Sequence, residues 1–197
     1  MQSLSLIVLA WSLSFGGTPA LAGPLTAFGD HTGEDHSFEN HRKSFLEGII
    51  LDDATLRSTD FRKSNLVDSF LRSAILDGAD LRKADLTGAN LTGASMLDVG
   101  ARKANFTNAT LDGVSFATGD IRKATFVGAS LLGADLSALS GANRADFTGA
   151  FFDASTILAP GIDTSMMTFV PEPSSALLLL LGLMGLEIYG RRFARRT

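Results

Sequence analysis

Five Arg-Lys pairs recur along the chain at intervals of twenty residues. They lie at positions 42–43, 62–63, 82–83, 102–103 and 122–123. If the backbone completes one turn every twenty residues, the pairs rise as a ladder on one face. A row of guanidinium groups suits a linear polyanion with regularly spaced carboxylates, sulfates or phosphates. The polyanion-binding hypothesis rests on the following residues, named here the basic ladder: Arg62, Lys63, Arg82, Lys83, Arg102, Lys103, Arg122 and Lys123.

A solvated surface explains the same pattern more simply. Asp60, Asp80 and Asp120 lie two residues before three of the arginines and would form an adjacent acidic column. Duplication of a twenty-residue unit would also copy a basic pair without any selection for binding. Both interpretations of the basic ladder therefore stay open.

Three histidines near the N-terminal end form a second group with binding chemistry. His31, His36 and His41 are five residues apart, and Glu34 and Glu39 lie among them. Imidazole and carboxylate groups can hold zinc or other divalent ions. The spacing nevertheless equals the repeat described below, so we interpret the segment as a degraded first coil or a polar linker. We predict no metal site.

The composition excludes several classes of function. The 197 residues include no Cys, which excludes a disulfide scaffold, a thiolate zinc site and a cysteine nucleophile. A net charge of -4 argues against a general nucleic-acid binder. The sequence holds no phosphate-binding loop and no nucleophile with a candidate base beside it. We therefore predict no catalytic residues, no cofactor and no enzymatic activity.

A five-residue period sets the positions of these side chains. Every fifth residue from Leu46 to Leu136 is large and apolar in eighteen of nineteen cases, Ala101 being the exception. The residue two places earlier is Ala in eleven of these nineteen cases and small in most others. This period fits neither a helix nor a strand, so it indicates a chain that turns a corner every five residues. After a slip of one residue, the expected continuations are Phe147, Phe152 and Ile157.

The repeats at 79–81, 84–86 and 89–91 read Ala-Asp-Leu, Ala-Asp-Leu and Ala-Asn-Leu. This pattern resembles the A(D/N)Lxx motif of the pentapeptide-repeat family. The resemblance implies an all-β fold, a right-handed quadrilateral β-helix, with about six coils of twenty residues over 44–157. Stacked at the spacing of strands, about 4.8 Å, six coils would give a rod of roughly 29 Å.

The ends of such a solenoid expose unpaired backbone and invite stacking with other chains. An end-to-end homo-oligomer is therefore an open possibility for its assembly. Outward positions of the first two coils are apolar, and we expect residues 23–43 to fold over them as a cover. These outward residues are Phe45, Ile50, Phe70 and Ile75.

Residues 1–22 have the pattern of a secretory signal peptide. An apolar run from Leu4 to Leu13 precedes Ala20-Leu21-Ala22, in which Ala20 and Ala22 supply a small-x-small cleavage site. The pattern predicts an exported protein whose mature chain begins near Gly23.

A sorting signal is indicated at 170–197, after a linker at 158–169. Pro171-Glu172-Pro173 precedes an apolar run, which precedes Arg191, Arg192, Arg195 and Arg196. These elements resemble the PEP-CTERM sorting signal. The resemblance implies a transmembrane helix that holds the protein in the inner membrane of a Gram-negative bacterium. It also implies processing at the Pro-Glu-Pro motif by an exosortase, and delivery to the cell surface or extracellular matrix.

The leading hypothesis is an exported structural or binding protein of the envelope or biofilm matrix, with acidic exopolysaccharide as its partner. Some pentapeptide-repeat proteins instead resemble duplex DNA and act on type II topoisomerases, which is the alternative. Residues 44–163 hold fifteen acidic and eleven basic residues, a weak acidic excess of four that the basic ladder interrupts. We expect no nucleic acid partner.

Overall fold

A computed structural model describes residues 25–172 and shows a solenoid built from parallel backbone pairing. The predicted signal peptide, and the sorting signal beyond residue 172, lie outside the described residues. Between 25 and 172, no helix combines the length and apolar character that a membrane crossing needs.

Four columns of parallel bridges define the sides of each coil. Asp80 pairs with Gly100, Asp85 with Asn105, Asn90 with Thr110, and Ser95 with Ser115, each across twenty residues. Because four such bridges occur in every twenty residues, the coil has four sides. The all-β expectation is therefore confirmed.

Most pairings are single bridges, and only a few extend into short strands. β1, β2 and β3 form one parallel sheet, while β4 and β5 form another. The bounds are β1 Val99–Gly100, β2 Thr118–Asp120, β3 Ala138–Ser140, a 3₁₀ turn at Ala142–Arg144, β4 Phe151–Phe152 and β5 Thr168–Phe169.

The interior is filled by the large apolar residue and the small residue of each repeat. The expected inward positions from Leu46 to Leu136 are buried, and Ala101 is buried with them. The rings of Phe106, Phe126 and Phe147 form a stack, with neighbouring centroids 4.8 Å apart. Each inward side chain thus packs against its equivalents one coil away.

The corners between sides are β-turns with a left-handed residue. At one corner the Ser64 amide donates to the Phe61 carbonyl at 3.1 Å, and Lys63 has a φ of 62°. A positive φ at this third turn position is the mark of a type II turn. The turn places Arg62 and Lys63 outward, side by side.

The segment predicted as an N-terminal cover is instead a coil of the solenoid. Asp30 pairs with Ile50, and Asn40 pairs with Asp60, in the same register as the later coils. The backbone can make these bonds whatever the inward side chains are, so the polar sequence does not end the repeat. Phe45 stays 81% exposed and Phe70 44% exposed, so these two outward apolar residues are not covered as expected.

The frame slips twice near the C-terminal end, rather than once. The 3₁₀ turn at Ala142–Arg144 adds one residue, so Phe147 packs beneath Phe126 as expected. A second added residue follows where Asp153 accepts the amides of Ser155 and Thr156, which widens the corner.

The second slip changes the side on which the next residues lie. Ile157 pairs with Asp135, an outward position, and is 53% exposed, so its predicted inward placement is wrong. Leu158 packs against the core instead. Residues 158–169, predicted as a linker, return to the last coil, where Thr168 pairs with Phe151.

Candidate functional site

The basic ladder lies beside an acidic column on one side of the solenoid. Bridges join Asp60 to Asp80 and Asp80 to Gly100, and β1–β2 pairing continues from Gly100 to Asp120. Each basic pair begins two residues after a member of this column, so successive pairs rise by about one strand spacing, 4.8 Å. The structure therefore brings all eight predicted residues onto one face.

The arginines of the basic ladder are tied to the acidic column. Arg62 Nε donates to Asp60 Oδ1 at 2.8 Å, and Arg82 Nε donates to Asp80 Oδ1 at 2.8 Å. Arg122 Nη2 donates to Asp120 Oδ2 at 2.6 Å. Such two-pronged pairing between guanidinium and carboxylate is charge-assisted and fixes the arginine geometry.

Arg102 differs because Gly100 stands where the other pairs have an aspartate. Its Nε lies 3.7 Å from Asp120 Oδ2, a carboxylate that Arg122 already holds. Half of the Arg102 side chain is exposed. Arg102 is therefore the most weakly held arginine of the ladder.

These pairings shift the ionisation of both partners toward the charged form. Hydrogen bonds from the Arg62 side chain hold the pKa of Asp60 below its ordinary value. Hydrogen bonds from Arg122 lower the pKa of Asp120, and the charge of Arg102 adds to the effect. The pKa of Arg62 and that of Arg122 are raised by the same bonds. At neutral pH Asp60 and Asp120 are therefore charged.

The lysines of the basic ladder have a different environment. All four are exposed, and none forms an ion pair with another residue of the 25–172 region. The left-handed turn position fixes each lysine backbone, with φ between 60° and 63°. These exposed lysines are Lys63, Lys83, Lys103 and Lys123.

Shallow grooves run between successive basic pairs. One is lined by Arg62, Lys63, Arg82 and Lys83 together with Arg42, and the next by the pairs at 82–83 and 102–103. The eight cations of the ladder and the three carboxylates of the column together carry a net charge of +5. Sequence reasoning found the ladder but did not separate the paired arginines from the exposed lysines.

The N-terminal histidines occupy inward positions of the first described coil. His36 is completely buried, and the His41 ring stacks on Phe61 with centroids 5.6 Å apart. The interpretation of this segment as a degraded first coil thus agrees with the observed pairing.

Glu34 and Glu39 join the three histidines into one chain of contacts. Glu34 Oε2 lies 2.9 Å from His31 Nδ1 and 3.1 Å from His36 Nε2. Glu39 Oε2 lies 3.2 Å from His36 Nδ1 and 2.7 Å from His41 Nε2. The sequence signal for this arrangement was the placement of both glutamates at the small-residue position of the repeat, a signal our sequence reasoning did not use. We name these five residues the His/Glu cluster.

Two family models match the chain. Pentapeptide repeats, in eight copies, match residues 64–96 and 102–138. The PEP-CTERM protein-sorting motif matches residues 169–196. The second match indicates export and processing by an exosortase. No curated protein matches the chain.

Several solved structures are similar to the chain. Full-length QnrB1, a plasmid-mediated fluoroquinolone resistance protein, is 19% identical; the match covers 78% of this chain and 93% of QnrB1, with a TM-score of 0.39. HetL, a pentapeptide repeat protein involved in heterocyst differentiation regulation in the cyanobacterium Nostoc sp. strain PCC 7120, is 20% identical, with coverages of 72% and 87% and a TM-score of 0.31. A pentapeptide repeat protein from the Arabidopsis thaliana thylakoid lumen is 27% identical, with coverages of 56% and 70% and a TM-score of 0.22.

The two family matches fall on the regions that the five-residue period and the Pro-Glu-Pro motif had marked, and the repeats form the coils seen in the structure. Both resemblances are confirmed. The chain carries pentapeptide repeats at 64–96 and 102–138 and a PEP-CTERM protein-sorting motif at 169–196.

Proposed function

We propose that this protein is a non-catalytic, β-helical structural or binding element of the envelope or biofilm matrix of a Gram-negative bacterium. The sorting motif at 169–196 supports this destination. In the proposed route, residues 1–22 direct export and the C-terminal segment anchors the chain transiently in the inner membrane. Exosortase processing then releases it to the cell surface or matrix.

The proposed ligand is an acidic exopolysaccharide, bound along the basic ladder. The observation that carries this proposal is the different environment of arginine and lysine in the basic pairs. The Asp column holds Arg62, Arg82 and Arg122, whereas the four lysines are exposed at fixed backbone positions. Like charges stacked at strand spacing repel one another, and a linear polyanion laid along the row would relieve that repulsion.

Mimicry of duplex DNA, acting on a type II topoisomerase, was the alternative. A DNA mimic needs an anionic surface, whereas the basic ladder and its acidic column together carry a net charge of +5. The predicted export also separates the protein from a cytoplasmic topoisomerase. Binding to surface polysaccharide is therefore the better-supported function.

The test measures binding of the purified protein to polygalacturonate, a polysaccharide with regularly spaced carboxylates. We expect binding that weakens steeply with added salt, because the Debye length falls from about 10 Å at 0.1 M to about 3 Å at 1 M. The variant Lys83→Ser/Lys103→Ser removes two adjacent exposed cations from the ladder. We expect it to bind several-fold more weakly and to unfold at an unchanged denaturant concentration.

A matched control is the variant Arg57→Ser/Arg72→Ser, which removes two cations outside the ladder. Arg57 pairs with Asp77, and Arg72 pairs with Asp52. This variant loses two positive charges, as the Lys83→Ser/Lys103→Ser variant does, so the two variants have the same net charge. We expect this control to keep most of the binding. An equal loss in both double variants would show that net charge alone attracts the polymer, and would overturn the ladder as the binding site.

A further inference from the structure

The first described coil has a polar interior where the later coils have Leu and Ala. His31, Glu34 and His36 form one triad, and His36, Glu39 and His41 form a second. Within each triad the candidate ligand atoms lie within 4.8 Å of one another. His36 belongs to both triads and is completely buried, so its ring is held in place between them.

His36 presents one ring nitrogen to each triad. Its Nε2 lies 3.1 Å from Glu34 Oε2, and its Nδ1 lies 3.2 Å from Glu39 Oε2. An imidazole nitrogen binds a metal through its lone pair, and a divalent cation held by that nitrogen and the carboxylate oxygen would attract both. The buried ring is therefore placed to serve as a ligand in either triad.

The donor set and its spacing fit a divalent transition metal. Two imidazoles and one carboxylate are the protein ligands of the His₂Glu zinc sites, which keep a fourth position for water. Zinc–ligand distances of about 2.0–2.1 Å place tetrahedral donor atoms about 3.4 Å apart. The donor contacts of 2.7–3.2 Å in the two triads would need to widen by about 0.2–0.7 Å, and the two histidine nitrogens of a triad, which lie within 4.8 Å, would take up the same spacing.

Solvent can reach the fourth position from the glutamate side. The Glu34 and Glu39 side chains are 41% and 34% exposed, whereas the histidines are largely covered. An ion can therefore enter beside the glutamates, while the packed histidines hold their positions. We infer that the His/Glu cluster binds one zinc-like divalent ion per chain, in either triad, with His36 as a ligand in both.

Single occupancy follows from the chemistry of the shared histidine. A neutral imidazole offers a lone pair to one metal, and a second metal would require loss of the remaining ring proton. Filling one triad therefore excludes the other. The bound ion would link residues 31–36 or 36–41 across one corner and stabilise the N-terminal end of the solenoid. This inference is independent of polyanion binding.

The experiment is a zinc titration of the full-length chain, prepared metal-free and without a polyhistidine tag. We expect one equivalent of Zn²⁺ by calorimetry and a midpoint of thermal unfolding that rises with free zinc. Excess Mg²⁺ or Ca²⁺ should not displace the ion, because these hard cations prefer sites made only of oxygen ligands. Absence of zinc binding would overturn the inference. The cluster would then be explained as the polar interior of a terminal coil, of the kind that caps a solenoid and keeps it soluble.

Three substitutions to Leu give the sharpest control, because Leu is the ordinary residue at this position of the repeat and the fold should tolerate it. His31→Leu and His41→Leu each destroy one triad and leave the other, so each should still bind one zinc. His36→Leu destroys both triads. It should lose more than the about 10–100-fold in affinity that loss of an outer-shell partner costs. Undiminished zinc binding by His36→Leu, with a normal unfolding transition, would contradict the assignment.

Discussion

At the scale of single residues, position in the five-residue frame determines whether a side chain is buried or exposed. His41, Phe61, Leu81, Ala101 and Ile121 follow one another at intervals of twenty and share one inward column. The apolar members are buried because each contacts its neighbours above and below. His41 is tolerated because it stacks on Phe61 and reaches Glu39 with its polar edge.

This packing predicts a large cost for shortening one inward leucine. Leu86 is completely buried in the middle of the rod. Leu86→Ala should lower the free energy of unfolding by about 2–5 kcal/mol, because stacked coils on both sides prevent the cavity from collapsing. Urea denaturation followed by circular dichroism measures the change.

Leu97→Ala is the matched control for that prediction. Leu97 is 38% exposed at a corner, so the same substitution removes little buried surface. Its effect should lie within about 0.5 kcal/mol. Similar losses for Leu86→Ala and Leu97→Ala would contradict the inward assignment of Leu86.

At the scale of elements, the turn at each corner determines which side chains point toward solvent. Lysine, aspartate, serine and glycine all take the left-handed turn position in different corners. In the basic pairs, this position turns the lysine away from the acidic column, while the preceding arginine stays beside it. The exposed lysine row is thus a product of turn geometry.

Where the frame slips, a glycine makes the change possible. Gly141 has a φ of 74° and precedes the 3₁₀ turn at Ala142–Arg144. A Cβ at this position would overlap Arg122 Cγ and lie 3.2 Å from Arg122 Cα. Gly141→Ala should therefore cost the left-handed strain of about 1–2 kcal/mol and a further 1–3 kcal/mol, roughly, for overpacking against Arg122.

The control for this prediction is Gly113→Ala. Gly113 has a φ of 64°, and a Cβ there would meet no atom within 4 Å. It should lose only the conformational part, about 1–2 kcal/mol. Chemical denaturation of both variants separates the two effects, and a Gly141→Ala variant as stable as Gly113→Ala would show that Arg122 moves aside without cost.

At the scale of the whole molecule, stability and destination are encoded in separate regions. The solenoid between 25 and 172 depends on contacts between neighbouring coils, so its stability is close to a sum over neighbours. The sorting motif at 169–196 overlaps only its last residues. Changes in the motif should therefore alter where the protein goes without altering the rod.

The triple variant Pro171→Ala/Glu172→Ala/Pro173→Ala tests that separation in the native host. Intact mass spectrometry of the envelope and medium should find wild-type protein that begins near Gly23 and ends near residues 171–173. The variant should keep its C-terminal segment and stay with the membrane fraction, because the exosortase motif is gone.

Asp163→Ala is the control for processing, since it removes an acidic residue outside the motif. It should be trimmed like the wild type. Normal trimming of the triple variant would contradict the role of Pro-Glu-Pro. A wild-type protein found at full length in the cytoplasm would favour the DNA-mimic alternative.

The sequence alone determined the period, the inward positions from Leu46 to Leu136, the face of the basic ladder and the sorting motif. These features are local, because most five-residue corners repeat the same turn and each inward position requires the same kind of side chain. The first frame slip was also readable, since the five-residue apolar series resumes one residue late at Phe147 and Phe152.

Only the tertiary structure decided which cations are paired, where the second slip falls and how the histidines meet the glutamates. Arg102 reaches Asp120, eighteen residues away, only because the coils stack. Ile157 lies outward because Asp153 accepts hydrogen bonds from the Ser155 and Thr156 amides, which adds a residue to that corner. A hydrophobic pattern does not reveal such hydrogen bonds. His36 meets two carboxylates because inward side chains on adjacent sides of one coil converge on a shared interior, so their contacts depend on the closed shape of the coil.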